Sequence, residues 1–158
     1  MARIEAKLLD MGLTLPQRLQ MPANVNMSLP FAWVRVCGTR AFVSGHVPLN
    51  LDGTIAQPVG KVGAEVSSEE GYAAARLVAL AQLASLQNTL GDLDRITAWV
   101  RVFAMINTAP GFNQMPQIAN GFSDLILELF GPDIGMHARS AARRRASSER
   151  ARRMRSGS

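Results

Sequence analysis

Few residues in this chain combine a reactive type with a spacing that chemistry could use. Arg139, inside His137-Ala-Arg-Ser140, stands where globular-looking sequence gives way to an arginine-rich run, and taken alone it reads as a surface arginine opening a strand. His46 and His137 are far apart and have no Cys/His spacing around them, so no metal site is expected. The stretch Gly53-Thr-Ile-Ala-Gln-Pro-Val-Gly-Lys61 only superficially suggests a phosphate loop. Its glycines are too far apart, and Val62 occupies the place of a magnesium-binding hydroxyl. No serine lies in a Gly-x-Ser-x-Gly context, and no acid or base sits near one in sequence to argue for a triad. The single Cys37 cannot form an intramolecular disulfide and reads as a small core hydrophobe in an apolar strand.

The elements that must position these residues follow from periodicity. Residues 3–13 place Ile4, Leu8, Leu9 and Met11 on a short amphipathic helix, an add-on ended by Gly12 and Pro16. Pro16 to Pro30 has no period and reads as extended or looped. Residues 31–37 and 40–44 form two strands of a hairpin around Gly38-Thr39, and Asn50 to Gly53 is a second turn. From Ser67 the period becomes helical. Ser67 and Glu70 can make a capping box, while Tyr72, Ala75, Ala79, Leu83, Leu86 and Leu90 share a face that Gly91 terminates. Residues 95–106 alternate Ile96, Ala98, Val100, Val102 and Ala104 on one face, predicting a long central strand. Pro110 opens a second helix, with Phe112, Met115, Ile118, Phe122, Leu125, Ile126 and Leu129 on one side, stopped by Gly131 and Pro132. Strands in sequence with two helices on one face predict an α+β domain.

Charge divides the chain. It carries 17 Lys and Arg against 12 Asp and Glu, a net +5 that would suggest a nucleic-acid or acidic-membrane partner. Seven of the bases and one of the acids fall in residues 141–158, which leaves the first 140 residues with ten bases and eleven acids. The body is close to neutral and long enough for one domain, because a chain of roughly 150 residues buries about 70% of its unfolded surface. No apolar run approaches a membrane span, and the N-terminus has no export-type core, so a cytoplasmic protein is expected. The expected organisation is a helical extension over 1–15, the domain over 16–140 and an Arg/Ser-rich disordered tail over 141–158.

Three stretches resemble the YjgF-like superfamily of reactive-intermediate (Rid) imine deaminases, also described as endoribonuclease L-PSP-like. They are Phe42-Val-Ser-Gly-His-Val-Pro48 with its following turn, Leu90 to Thr97 leading into Val100-Arg-Val-Phe103, and His137-Ala-Arg-Ser140. The resemblance spans roughly residues 30–140. It implies a chorismate-mutase-like α+β fold with a mixed sheet and a homotrimer with sites between subunits. It also implies hydrolytic deamination of small 2-imino or enamino acids to 2-oxo acids and ammonia, with no cofactor. Arg139 matches the arginine that grips the substrate carboxylate, a task suited to a planar, permanently charged fork. Ser44 matches the serine of the family's Ser-Gly motif, Asn120 a site asparagine near the second helix, and Phe31 a position where many deaminases have tyrosine.

This sequence departs from the pattern at its end. The family's closing strand, which in many members carries a glutamate that orients or activates water, has no counterpart in the arginine-rich text. Glu149 does not take its place. The resemblance stops abruptly after Ser140, and arginine-rich text is a common out-of-frame product, so a shifted reading frame is the favoured origin of the tail; synonymous codons from Arg143 onward, read one nucleotide later, permit Gly-Val-Glu-Pro-Pro-Arg-Asn-Ala-Pro-Val. A basic arm contacting nucleic-acid phosphates ranks below it, because aromatics for stacking are missing. Two further functional classes stand beside the deaminase: a non-catalytic trimer binding small carboxylates or partners, and an endoribonuclease or nucleic-acid binder.

Overall fold

A computed structural model describes residues 2–23 and 28–144, and residues 145–158 of the expected tail lie outside them. The chain runs α1 (Arg3–Asp10), β1 (Val34–Cys37), β2 (Arg40–Val43), α2 (Ser68–Leu90), a 3-10 turn (Leu93–Arg95), β3 (Arg101–Asn107), α3 (Met115–Gly135) and β4 (Ala138–Arg144). This is the mixed α+β order that the hydrophobic periods predict. β1 and β2 pair antiparallel across the Gly38-Thr39 turn, with Val34 opposite Val43, while β3 and β4 pair parallel, with Val102 opposite Arg139. A parallel pair needs a long crossover, and α3 provides it. Cys37, expected in the core, ends β1 at the hairpin and is exposed.

α2 forms as its sequence dictates. Ser67 accepts from the Glu70 amide, the Glu70 carboxylate accepts from the Ser67 amide, and Gly91 closes the helix with a left-handed φ of 83°. α2 packs on α3 through a core in which Leu83, Leu125 and Ile126 are fully buried. The two backbones come so close that a Cβ at Gly121 would collide with the Tyr72 carbonyl. At the rim, Tyr72 donates to Asp124 at 2.6 Å and Arg76 forks onto Glu128 at 3.0 and 3.2 Å. The Asp124 carboxylate holds the Tyr72 hydroxyl above its ordinary pKa.

Several expectations need correction. The N-terminal helix is no add-on: Ile4 and Leu8 are buried in the main core. Asp94 accepts from the Arg3 and Ile4 amides at 2.6 and 3.0 Å, capping a helix some 90 residues away in sequence. The nearby carboxylates are occupied in the same way, Glu5 accepting from Gln87 and the Leu93 amide and Asp92 from the Asp94 amide. α3 begins at Met115, not Pro110, and Phe112 lies in the preceding turn against Gly63. Gly131 breaks that helix, as predicted, but a further turn through Gly135 follows the break.

The strand expected over 95–106 is shorter and changes phase. Trp99 turns inward against Phe122 and Phe130, whereas Ala98, Val100 and Arg101 are exposed, and regular alternation resumes with Val102 and Ala104 inward. Among the described residues β3 is laddered on one side only, its other flank carrying a single bridge from Thr108 to Val62. β4 continues through Arg144, four residues beyond the boundary placed at Ser140, since small Ala141 and Ala142 fit the ladder against Ala104 and Met105. The arginine-rich text was expected to supply no strand; it supplies the last four residues of β4, and residues 145–158, where the family's closing strand has no counterpart in sequence, lie outside the described residues.

Candidate functional site around Arg139

Strand register decides where Arg139 points. Opposite Val102, it lies on the helix side of the β3–β4 ladder, facing the first turns of α3. There Pro116, Asn120 and Ser123 recur at i, i+4 and i+7, one face of the helix. Arg139 Nη1 donates to Asn120 Oδ1 at 3.0 Å and to Ser123 Oγ at 2.9 Å, and Nη2 donates to the Pro116 carbonyl at 3.1 Å. A guanidinium has five N–H donors. Three are committed to α3, so among the described residues Nε–H and one Nη2–H remain for a ligand at this half-exposed position. Those two donors suffice for a bidentate carboxylate.

Ser123 and His137 extend the cluster. His137 Nδ1 lies 2.7 Å from the Gly135 carbonyl, which can only accept, so Nδ1 carries a proton; in that tautomer of the ring, Nε2 accepts from the Ser123 hydroxyl at 2.9 Å. A directed chain results, from Arg139 to Ser123 to His137 to Gly135. The motif His137-Ala-Arg139 is the sequence signal that could have suggested it, since alternate residues of a strand share a face.

Asn120 and Arg139 are therefore brought together. Phe31 and Ser44 belong to a different region. Ser44 donates to the Ala32 carbonyl at 2.6 Å, and Phe31 packs edge-on against Trp33 at 5.3 Å with half its surface exposed. Neither contacts the Arg139 cluster within one chain. His46 lies beyond Trp33: its Nδ1–H donates to the Ser44 carbonyl at 2.7 Å and its Nε2 accepts from Ser85 at 2.8 Å. Burial lowers the pKa of His46, partly offset by that carbonyl. The carboxylates beside the cluster on α3, Asp124 and Glu128, are engaged by α2.

The family model "YjgF/chorismate mutase-like, putative endoribonuclease" matches residues 5–145. The chain belongs to the YjgF family. The match takes in most of α1 and all of β4, so the family pattern crosses both ends of the segment that the motifs alone had marked. Protein TCP17 of Trypanosoma cruzi is 39% identical over 140 residues, covering 88% of this chain and 82% of that protein. A crystal structure of a putative endoribonuclease from Shewanella oneidensis MR-1 is 31% identical with a TM-score of 0.77, over 89% of this chain and 87% of the other. The Agrobacterium tumefaciens protein Atu1372, of unknown function, is 30% identical with a TM-score of 0.76, over 90% and 81% of the two chains. Among the described residues no helix is long and apolar enough to cross a membrane.

Proposed function

We propose that this YjgF-family protein hydrolyses small 2-imino or enamino acids in the cytoplasm, with Arg139 holding the substrate carboxylate. The observation that carries the reading is the partial commitment of the Arg139 fork. α3 fixes its plane through Pro116, Asn120 and Ser123 and, among the described residues, two donors are left unspent. A carboxylate docked on those donors has its imine carbon fixed in position, which converts attack by water into an oriented step. Water oxygen bonds to the imine carbon, a water proton passes to nitrogen, and the carbinolamine collapses to a 2-oxo acid and ammonia.

The reading includes a homotrimer whose sites join two subunits. Two features support it: Phe31 and Ser44 sit apart from Arg139 within one chain, and the strand faces turned away from the helices expose Phe42, Phe103 and Met105 to 58, 58 and 66%. Exposed aromatic and methionine side chains on a sheet face favour burial against another subunit. Sedimentation velocity should give three times the chain mass, and a monomer at micromolar concentration would exclude shared sites.

Ammonia release from a freshly generated 2-imino acid tests the chemistry. Arg139→Ala should lower kcat/KM by about a hundredfold or more, the scale for loss of a positioning, charge-assisted contact. Equal rates in mutant and wild type would overturn the mechanism. A non-catalytic carboxylate-binding trimer is the second reading, favoured by Phe31, which keeps the apolar wall without a hydroxyl. It predicts Arg139-dependent binding of a 2-oxo acid with no ammonia release. The Shewanella relative's description raises an endoribonuclease reading, for which cleavage of RNA that depends on Arg139 is the criterion.

A further inference from the structure

The His46 region borders a cleft that the proposed deamination does not use. Its outer wall is the N-terminal segment, pinned to the Asn50–Gly53 turn by the Gln17 amide donating to Leu51 and the Gln20 amide donating to Gly53, both at 2.9 Å. Gly53 has a φ of 84°, and a Cβ there would collide with the Arg18 carbonyl, so glycine is what lets the segment lie this close. The cleft encloses about 50 Å³, with Leu19, Trp33, Leu49 and Ala84 among its apolar lining. That is room for roughly four water-sized groups, too little for a nucleotide.

The polar lining is unbalanced. His46 and Ser85 line the cleft and satisfy one another, the histidine fixed as an acceptor by the Ser44 carbonyl and kept neutral by burial. Arg18 and Asn88 also line it, and neither side chain has a hydrogen-bond or ionic partner among the described residues. Among the described residues that line the cleft, Arg18 is the one with a formal charge, and none is an acid. Arg18 and Asn88 are both exposed to solvent, so what they offer a ligand is largely donor capacity beside an apolar wall, the complement of an anion on a short carbon chain.

We propose that this cleft is a second ligand site, taking a small aliphatic monocarboxylate with its carboxylate on Arg18 and Asn88 and its carbon chain against Trp33 and Leu49. A bare inorganic anion would leave the apolar wall uncovered, and an amide of the same shape would leave the guanidinium without a charge partner. The site stands independently of any chemistry at Arg139.

Titration of the full chain with propionate, against propionamide at matched ionic strength, tests it through Trp33 emission. Trp99 is packed between Phe122 and Phe130, so Trp33→Phe identifies the reporter. Saturable quenching by propionate in the millimolar range is expected in wild type and in Arg139→Ala. Arg18→Gln should weaken it about tenfold or more, the scale of a lost charge-assisted contact. Asn88→Leu, at an exposed position of the helix, should block the cleft without unfolding the chain. Equal response to propionamide, no saturation at about 100 mM, or binding lost with Arg139→Ala and retained with Arg18→Gln would each overturn the proposal.

Discussion

The protein contains two serine–histidine pairs built on one pattern. In both, the histidine Nδ1–H donates to a main-chain carbonyl two residues earlier, Gly135 for His137 and Ser44 for His46, and Nε2 accepts from a helical serine. What differs is the neighbour. Ser123 is buried and also accepts from Arg139, so its pair becomes the back wall of a guanidinium clamp. Ser85 is half-buried with no such donor, so its pair becomes the wall of a cleft whose cation, Arg18, comes from a remote segment. A Ser–His hydrogen bond thus carries no function by itself; the third group delivered to it by tertiary packing sets the role.

The largest expected effect that separates the two regions is on turnover. Asn120→Ala should lower kcat/KM for imine hydrolysis by about tenfold by loosening the Arg139 fork, while Ser85→Ala leaves it unchanged; an equal fall in both would merge regions that the geometry keeps apart. Next in size is stability. Ser123→Ala leaves an Arg139 donor and His137 Nε2 without their partner in a buried place and should cost about 1–3 kcal/mol, measured by urea unfolding. Ser85→Ala, where cleft water can reach His46, should cost about 0.5–1 kcal/mol, and reversal of that order would break the comparison.

The smallest effect is a pH dependence. Because burial lowers the His46 pKa in the folded chain, its protonation favours the unfolded state. The stability from neutral His46 is present above the ordinary histidine pKa of about 6.5 and is lost as pH falls through the depressed folded value. Replacing His46 by Gln should flatten the unfolding free energy over that window, and an unchanged slope would assign the titration elsewhere.

Much of this fold was legible locally. The Ser67–Glu70 box and Gly91 bracket α2 through contacts within a few residues, so their sequence is their structure. Gly131 broke α3 for the same reason. The start of α3 was misread because Pro110 and Phe112 offered equally good local signals, whereas Phe112 is held by packing over Gly63. The phase change at Val100 was illegible, because alternation assumes a regular strand and Trp99 is drawn inward by Phe122 and Phe130. The arginines that disguised 141–144 as tail were overridden by the backbone pairing of β4 to β3. In the site, the resemblance points to Arg139 by motif and to Asn120 by position, but not to the contact of Ser123 with His137, since 14 residues separate a pair 2.9 Å apart.

By itself the sequence determined the helices, their caps, the hairpin and the family pattern around Arg139, because these rest on short-range hydrogen bonds and on apolar periods. Only the tertiary structure decided which polar groups meet. The register of β4 on β3 turns Arg139 toward α3, and the seating of the N-terminal segment against Gly53 brings Arg18 to the His46 cleft. Both depend on contacts between segments remote in the chain, which side-chain packing selects and no local pattern encodes.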